Sequence, residues 1–176
     1  SIEITHEYAH RANALPLPAT FTIDAGQRIS ENQSGMQVRM YSRYPWRDNG
    51  GPQNSFETRA IELLSVPIDE RSQQLEHHEF VERDGRQFLQ YARGQIMQES
   101  CVKCHNTHKQ SPKKDWKEGD LAGVLAITRP LDRDIARTRD GLRGAFLTMA
   151  GIMSLVALAG LFVLMRGRIL SPSRSA

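Results

Sequence analysis

The chain has 176 residues, of which 39% are hydrophobic and 24% charged, and its formal net charge is +3 at pH 7. This composition excludes a disordered tail, and so small a charge, partly carried by arginines flanking an apolar stretch, gives no case for nucleic-acid binding. There is no repeat, Gly-rich phosphate loop or catalytic-triad signature, so enzymatic catalysis is not expected and carboxylates such as Glu57, Asp69 and Glu70 read as solvated surface.

Residues 3–12 read as helical, and Pro16 and Pro18 break the chain before a second start. From Thr20 to Glu31 the apolar positions Phe21, Ile23, Ala25 and Ile29 predict an amphipathic helix. Gln37 to Tyr44 alternates Val38, Met40 and Ser42 against Arg39, Tyr41 and Arg43, the period of a strand. A turn-rich loop, Pro45 to Asn54, leads to a helix with Ser55 as its N-cap, running through Leu64 and ended by Pro67. Glu79 to Glu82 and Arg86 to Gln98 form two strands joined at the hairpin dipeptide Asp84-Gly85. Ser100 is placed to cap a short turn carrying Cys101 to His105, and a lysine-rich loop with Trp116 follows. Leu121 to Thr128 reads as a further strand and Pro130 to Arg143 as a helix entering a membrane. Helix, strand, helix, then three antiparallel strands predict a small α+β domain.

Cys101-Val102-Lys103-Cys104-His105 has the spacing of c-type haem attachment. Two intervening residues let both sulfurs reach one porphyrin edge as thioethers, and the histidine directly after the second cysteine swings beneath the metal. A redox dithiol would need only Cys-x-x-Cys, usually beside a βαβ pattern that is not seen here. A zinc site drawing on Cys101, Cys104, His105 and His108 would require the adjacent Cys104 and His105 to occupy two corners of one tetrahedron. These are the chain's only cysteines, so no structural disulfide competes for them, and the expected cofactor is one covalent haem c. In bacteria that linkage is made outside the cytoplasmic membrane.

Ala145 to Met165 is an unbroken stretch of 21 residues with no charged, amide or proline side chain. At about 1.5 Å per residue it spans roughly 30 Å, the hydrocarbon thickness of a bilayer. Ala150, Ser154, Ala157 and Gly160 are small enough for a helix-helix contact within a homodimer or a membrane complex. Arg133, Arg137, Arg139 and Arg143 precede the span and Arg166, Arg168 and Arg174 follow it, so the positive-inside rule does not fix its orientation. Haem chemistry breaks the tie. The expected organisation is a periplasmic haem domain at 1–130, a linker helix at 131–144, a transmembrane helix at 145–165 and a cytoplasmic tail at 166–176 in the bacterial inner membrane. Ser1 is not an initiator methionine, which points to a processed or excised chain.

The segments ALPLPATFTIDAGQRIS, VRMYSRYPWRDNGGPQNSFETRAIELL and MQESCVKCHNTHKQSPKKDWKEGDLAGVLAITRPLD resemble the periplasmic c-type haem domain, of PAS-like fold, found in bacterial adenylate and guanylate cyclases, histidine kinases and chemoreceptors. The resemblance covers roughly residues 10–132 and is most specific from Cys101 to Asp120. It implies a PAS-like antiparallel sheet with flanking helices, and sensing of redox state or a diatomic gas relayed through a membrane helix. Some relatives use a cysteine as the distal iron ligand. This chain has none to spare, so that ligand differs here.

His105 is the expected proximal ligand, whereas His108 lies about one turn on and is poorly placed. For the distal side, His10 is preferred, then His6, then Met36. Met40 shares a strand face with Met36, and His77 and His78 read as solvated residues of a polar loop. Arg39, Arg43, Arg47 and Arg93 are candidates for the haem propionates, and Tyr44, Trp46 and Trp116 for flanking the macrocycle. Two functional classes follow: a receptor input whose output lies beyond residue 176, or a membrane-tethered cytochrome passing electrons to a membrane complex.

Overall fold

The computed structural model of the chain describes residues 2–5, 8–32, 35–66 and 75–169. His6, Pro67, Asp69, Glu70 and the expected tail from residue 170 onward lie outside the described residues. The chain divides after Leu131 into two compact units.

The N-terminal segment corrects the first expectation. In place of a helix over 3–12 there is a strand β1 (Glu3–Thr5) and a single 3-10 turn at Tyr8–His10. β1 pairs in parallel with β2 (Ala14–Pro16), Glu3 opposite Ala14, and the Glu3 N–H donates to the Asn13 carbonyl at 3.0 Å. A helix this short is marginal without a packed face, whereas pairing satisfies the backbone at once. Asn13 turns the chain at φ 57, a left-handed conformation that asparagine tolerates.

α1 (Pro18–Asn32) lies against β3 (Gln37–Tyr41), and Gly26 makes the close approach. A Cβ there would sit 3.0 Å from the Val38 carbonyl oxygen. β3 stops at Tyr41, short of the expected Tyr44, because Ser42 turns away from the ladder. The Ser42 hydroxyl donates to the Ala122 carbonyl at 2.7 Å and accepts the Tyr44 N–H at 3.1 Å.

The main sheet is antiparallel, in the order β3-β6-β5-β4, with β4 Glu76–Arg83, β5 Arg86–Ile96 and β6 Leu121–Pro130. α2 (Ser55–Leu64) crosses one face, where Phe56, Ala60, Ile61 and Leu64 bury against Tyr41, Ala92, Val124 and Ala126. Its N-cap is Asn54 rather than Ser55, and the Asn54 side chain accepts the Glu57 N–H at 2.9 Å. Glu57 is not solvated surface: it is buried, ion-paired to Arg39 Nε at 3.2 Å, and accepts the Gln53 N–H at 2.7 Å. Burial pushes the Tyr41 phenol well above its ordinary range, so it stays neutral.

The hairpin turn is Asp84-Gly85, with φ 52 and 71, the pair of positive values that a two-residue type I′ turn requires. β4 starts earlier than expected and takes in both His77 and His78, which is a correction to their placement in a polar loop. His77 pairs with Ala92 and therefore faces α2, where it stacks on Phe56 at 5.6 Å and contacts Glu79 at 3.0 Å. His78 points to the opposite face.

β6 ends at Pro130, and Leu131 alone separates it from α4 (Asp132–Ile169), its N–H donating to the Gln87 carbonyl at 2.8 Å. The helix begins two residues later than expected because proline closes the strand, and it runs unbroken for 38 residues. By length and composition it can cross a membrane.

Candidate functional site

Three strand ends meet at one end of the sheet. The register pairs Tyr41 with Val124 and Ile96 with Leu121, so β3 and β5 leave the sheet where β6 enters. Everything between β5 and β6 therefore returns to its starting point. The buried Met97 closes that return: its N–H donates to the Asp120 carbonyl at 2.8 Å, and the Gly119 N–H donates to its carbonyl at 3.0 Å.

Within this closed excursion lies α3 (Glu99–Thr107), which carries the cysteine-histidine motif. It starts at Glu99 behind Gln98, which makes no side-chain cap bond, so Ser100 falls inside the first turn instead of capping it. Cys101 and Cys104 are three positions apart, hence on one helix face, and both are free and exposed. His105 is rotated about 100° from Cys104 and turns inward to a half-buried position.

The imidazole of His105 is enclosed by two tryptophans. Trp46 meets it edge-on with ring centres 5.3 Å apart, and Trp116 does so at 6.1 Å. Its Nδ1 is buried with no hydrogen-bond partner among the described residues. Burial, and secondly the nearby His108, lower its pKa, favouring the neutral ring that can ligate a metal. His108 caps the helix, its N–H on the Cys104 carbonyl at 2.9 Å, and its ring lies 4.8 Å from Trp46.

Trp116 and the loop that bears Trp46 are both held from behind. Asn106 bonds reciprocally to the Trp116 backbone, its Nδ2 donating to the carbonyl and its Oδ1 accepting the N–H, each at 2.9 Å. Tyr44 packs edge-on against Trp116 at 5.6 Å, and Lys113 Nζ lies 5.0 Å from the centre of Trp116 and 5.6 Å from that of Tyr44. The loop bearing Tyr44 and Trp46 is fixed by Ser42 and Gly50, the Ser42 N–H donating to the Gly50 carbonyl at 2.9 Å.

The sequence named Tyr44, Trp46, Trp116 and His105, and the structure gathers them. Asn106 and Lys113 were missed, since nothing in their local pattern marks them as supports. Arg39 is committed to Glu57 and to the Gly51 carbonyl on the α2 side, while Arg43 and Arg47 are exposed on the loop beside Trp46. Arg93 is exposed on β5, with Tyr91 as a neighbour. His10 is exposed on its turn, and Met36 is half-buried just before β3. The rings packed on His105 are those of Trp46 and Trp116. No group of three or more His, Cys, Asp or Glu side chains suited to a metal ion occurs among the described residues, which leaves the four-ligand zinc arrangement without support.

The donor set fits a covalent haem. Two open thiols on one face and an inward imidazole whose Nδ1 is shut into the protein are the groups such attachment uses.

Residues 1–130 match the family described as Tll0287-like. A solved structure titled as the crystal structure of the cyanobacterial haem protein Tll0287 is similar at 18% identity, covering 61% of this chain and 68% of that one, with a TM-score of 0.49. No curated protein matches the chain.

Proposed function

The chain belongs to the Tll0287-like family, and from that premise we propose that it is a membrane-anchored periplasmic domain carrying one haem c and reporting redox state or a diatomic gas through α4. The observation that carries this reading is α3 itself: Cys101 and Cys104 open to solvent on one face, with His105 turned inward between Trp46 and Trp116. The protein for which the family is named is described as a haem protein, which agrees.

Cys101 and Cys104 would form the thioethers and His105 Nε2 would ligate the iron, its ring angle set by the tryptophans. When bound, the group would supply a one-electron couple. His10 would be the second protein ligand to its iron, with His6 and Met36 as alternatives. Arg43 and Arg47, exposed on the loop beside Trp46, would be the cationic partners of the haem propionates. The sheet is read as PAS-like.

The relay would run along the chain: the α3 excursion ends at Asp120, β6 starts at Leu121, and α4 starts at Asp132, so a displacement at Trp116 would be passed on through one strand. Asp132 and Asp134 in the first turn of α4 suit its helix dipole. No catalytic turnover is assigned to these residues. Output would belong to a partner or to sequence beyond them.

The test is spectroscopic. Full-length protein from cells competent in cytochrome maturation should keep its colour through acid-acetone extraction and gain the mass of one haem. Its spectrum should change on reduction, and on NO binding if a gas is the signal. Bare polypeptide overturns the reading; a six-coordinate iron indifferent to NO supports a tethered electron carrier instead.

A further inference from the structure

From Ile135 to Arg166 every residue of α4 is exposed. Lipid can surround the apolar stretch that begins at Ala145, but not the polar segment Asp132 to Gly144, about three and a half turns that precede it. That segment is a poor helix by itself, with Gly141 and Gly144 in its interior beside the β-branched Ile135 and Thr138. In water, so short and weak a helix needs a packed face.

Its large apolar side chains are Ile135 and Leu142, 41% and 67% exposed and seven residues apart. That is the period of a coiled coil, so both lie on one line. With these two as the a positions of a heptad, Thr138 and Ala145 take d, side chains small enough to let two helices close. The same period runs on to Met149, Val156 and Val163, while the small residues Ala150, Ser154 and Ala157 fall at b and f, away from this line. Charge is sorted by the same register. Arg133, Arg137 and Arg143 fall at f, c and b, off the seam, and Arg139 flanks it at e. In a parallel pair an e residue meets the g residue five positions earlier on the other helix, and that residue is Asp134.

We propose that α4 pairs in parallel with the α4 of a second copy of this chain, Ile135 and Leu142 forming the seam and Asp134 facing the partner's Arg139. Two copies inserted in one membrane in the same sense are parallel, the arrangement in which these charges meet. A second copy is favoured over another protein because the match is of the chain to itself, made twice by symmetry. Asp134 also interacts within its own chain, and its carboxylate has two oxygens to share. The parallel sense rests on the reading of α4 as a membrane span; the pairing is independent of the haem.

The experiment co-expresses two differently tagged copies of the full chain in bacterial membranes, with the photocrosslinker p-benzoylphenylalanine in place of Thr138 or Leu142, and of Arg133 or Asp140 as controls at f. Irradiation should give a band carrying both tags from 138 and 142 and little from 133 and 140. No such band, a band carrying one tag and a different protein, or equal crosslinking from the f positions overturns the proposal. Energy transfer between fluorescently tagged copies in neutral-lipid vesicles then reads the seam. I135Q/L142Q should weaken pairing about tenfold or more with an unaltered far-UV circular dichroism spectrum, since both side chains are exposed on the single chain. At low salt D134R and R139D should each weaken it about fivefold, and D134R/R139D should restore it. Failure of the double reversal to recover what R139D loses overturns the facing charges. Alkaline carbonate extraction reports the span separately: release of the chain ends that reading, while the crosslinks still decide the pairing.

Discussion

Asn106 and Trp116 are joined as two strand residues would be, a side-chain amide standing in for a second backbone. The pairing ties the last turn of α3 to the return loop and presses the Trp116 ring toward His105, one residue before Asn106. Asn106→Ala leaves both backbone groups of Trp116 to find new partners. It should cost about 1–3 kcal/mol in chemical denaturation of the detergent-solubilised protein. Asn106→Asp restores only the acceptor half and should recover part of the loss.

The cysteines should act independently. On the proposed haem c, Cys101→Ala and Cys104→Ala would each keep one thioether, so the haem should stay attached while its pyridine haemochrome band moves toward that of a vinyl-bearing haem. The double variant should release its haem on acid-acetone extraction. Retention of colour by the double variant would place the attachment elsewhere.

Gly123 sits where β6 passes the exit of β3, and a Cβ there would lie 2.8 Å from the Tyr41 carbonyl oxygen. Backbone cannot yield as a side-chain tip does. Gly123→Ala should destabilise the domain by about 1–3 kcal/mol and, by displacing Ser42 and the loop behind it, alter the visible spectrum of the holoprotein. Gly85→Ala, in open space but at φ 71, is the contrasting case: a cost of about 1 kcal/mol with an unaltered spectrum.

Glu79 takes a two-pronged contact from Arg59, at 2.7 and 3.0 Å, and a third from His77. The Arg59 bonds, then that of His77, hold its carboxyl below the usual range. A depressed carboxyl contributes stability that is complete above its unfolded value and lost as pH falls through its folded one. Glu79→Gln should therefore be less stable than the wild type near pH 7, by no more than about 1 kcal/mol at so solvent-screened a site. Urea unfolding at pH 7 and pH 3 should show the difference closing at the lower pH.

How much of this was legible beforehand depended on range. α1, α2, the Asp84-Gly85 hairpin and β6 were readable because their periods and turn residues act locally. The N-terminal helix was misread because β1 is settled by its pairing with β2, a partner beyond any local window. Glu57 looked like surface for the same reason, its burial being decided by Arg39 across the sheet edge. At the site the candidate attachment residues Cys101, Cys104 and His105 stand out by spacing. Their supports do not, because Asn106 and Lys113 work through tertiary contacts with Trp116 that no spacing encodes.

The five lysines of the sequence all lie between Lys103 and Lys117, on α3 and the loop after it, and this has a practical corollary. Labels directed at lysine side chains and lysine-specific proteases will act only within the stretch from Lys103 to Lys117. Coupling those side chains to an activated-ester electrode or bead would tether this domain through the motif helix and the loop that follows it.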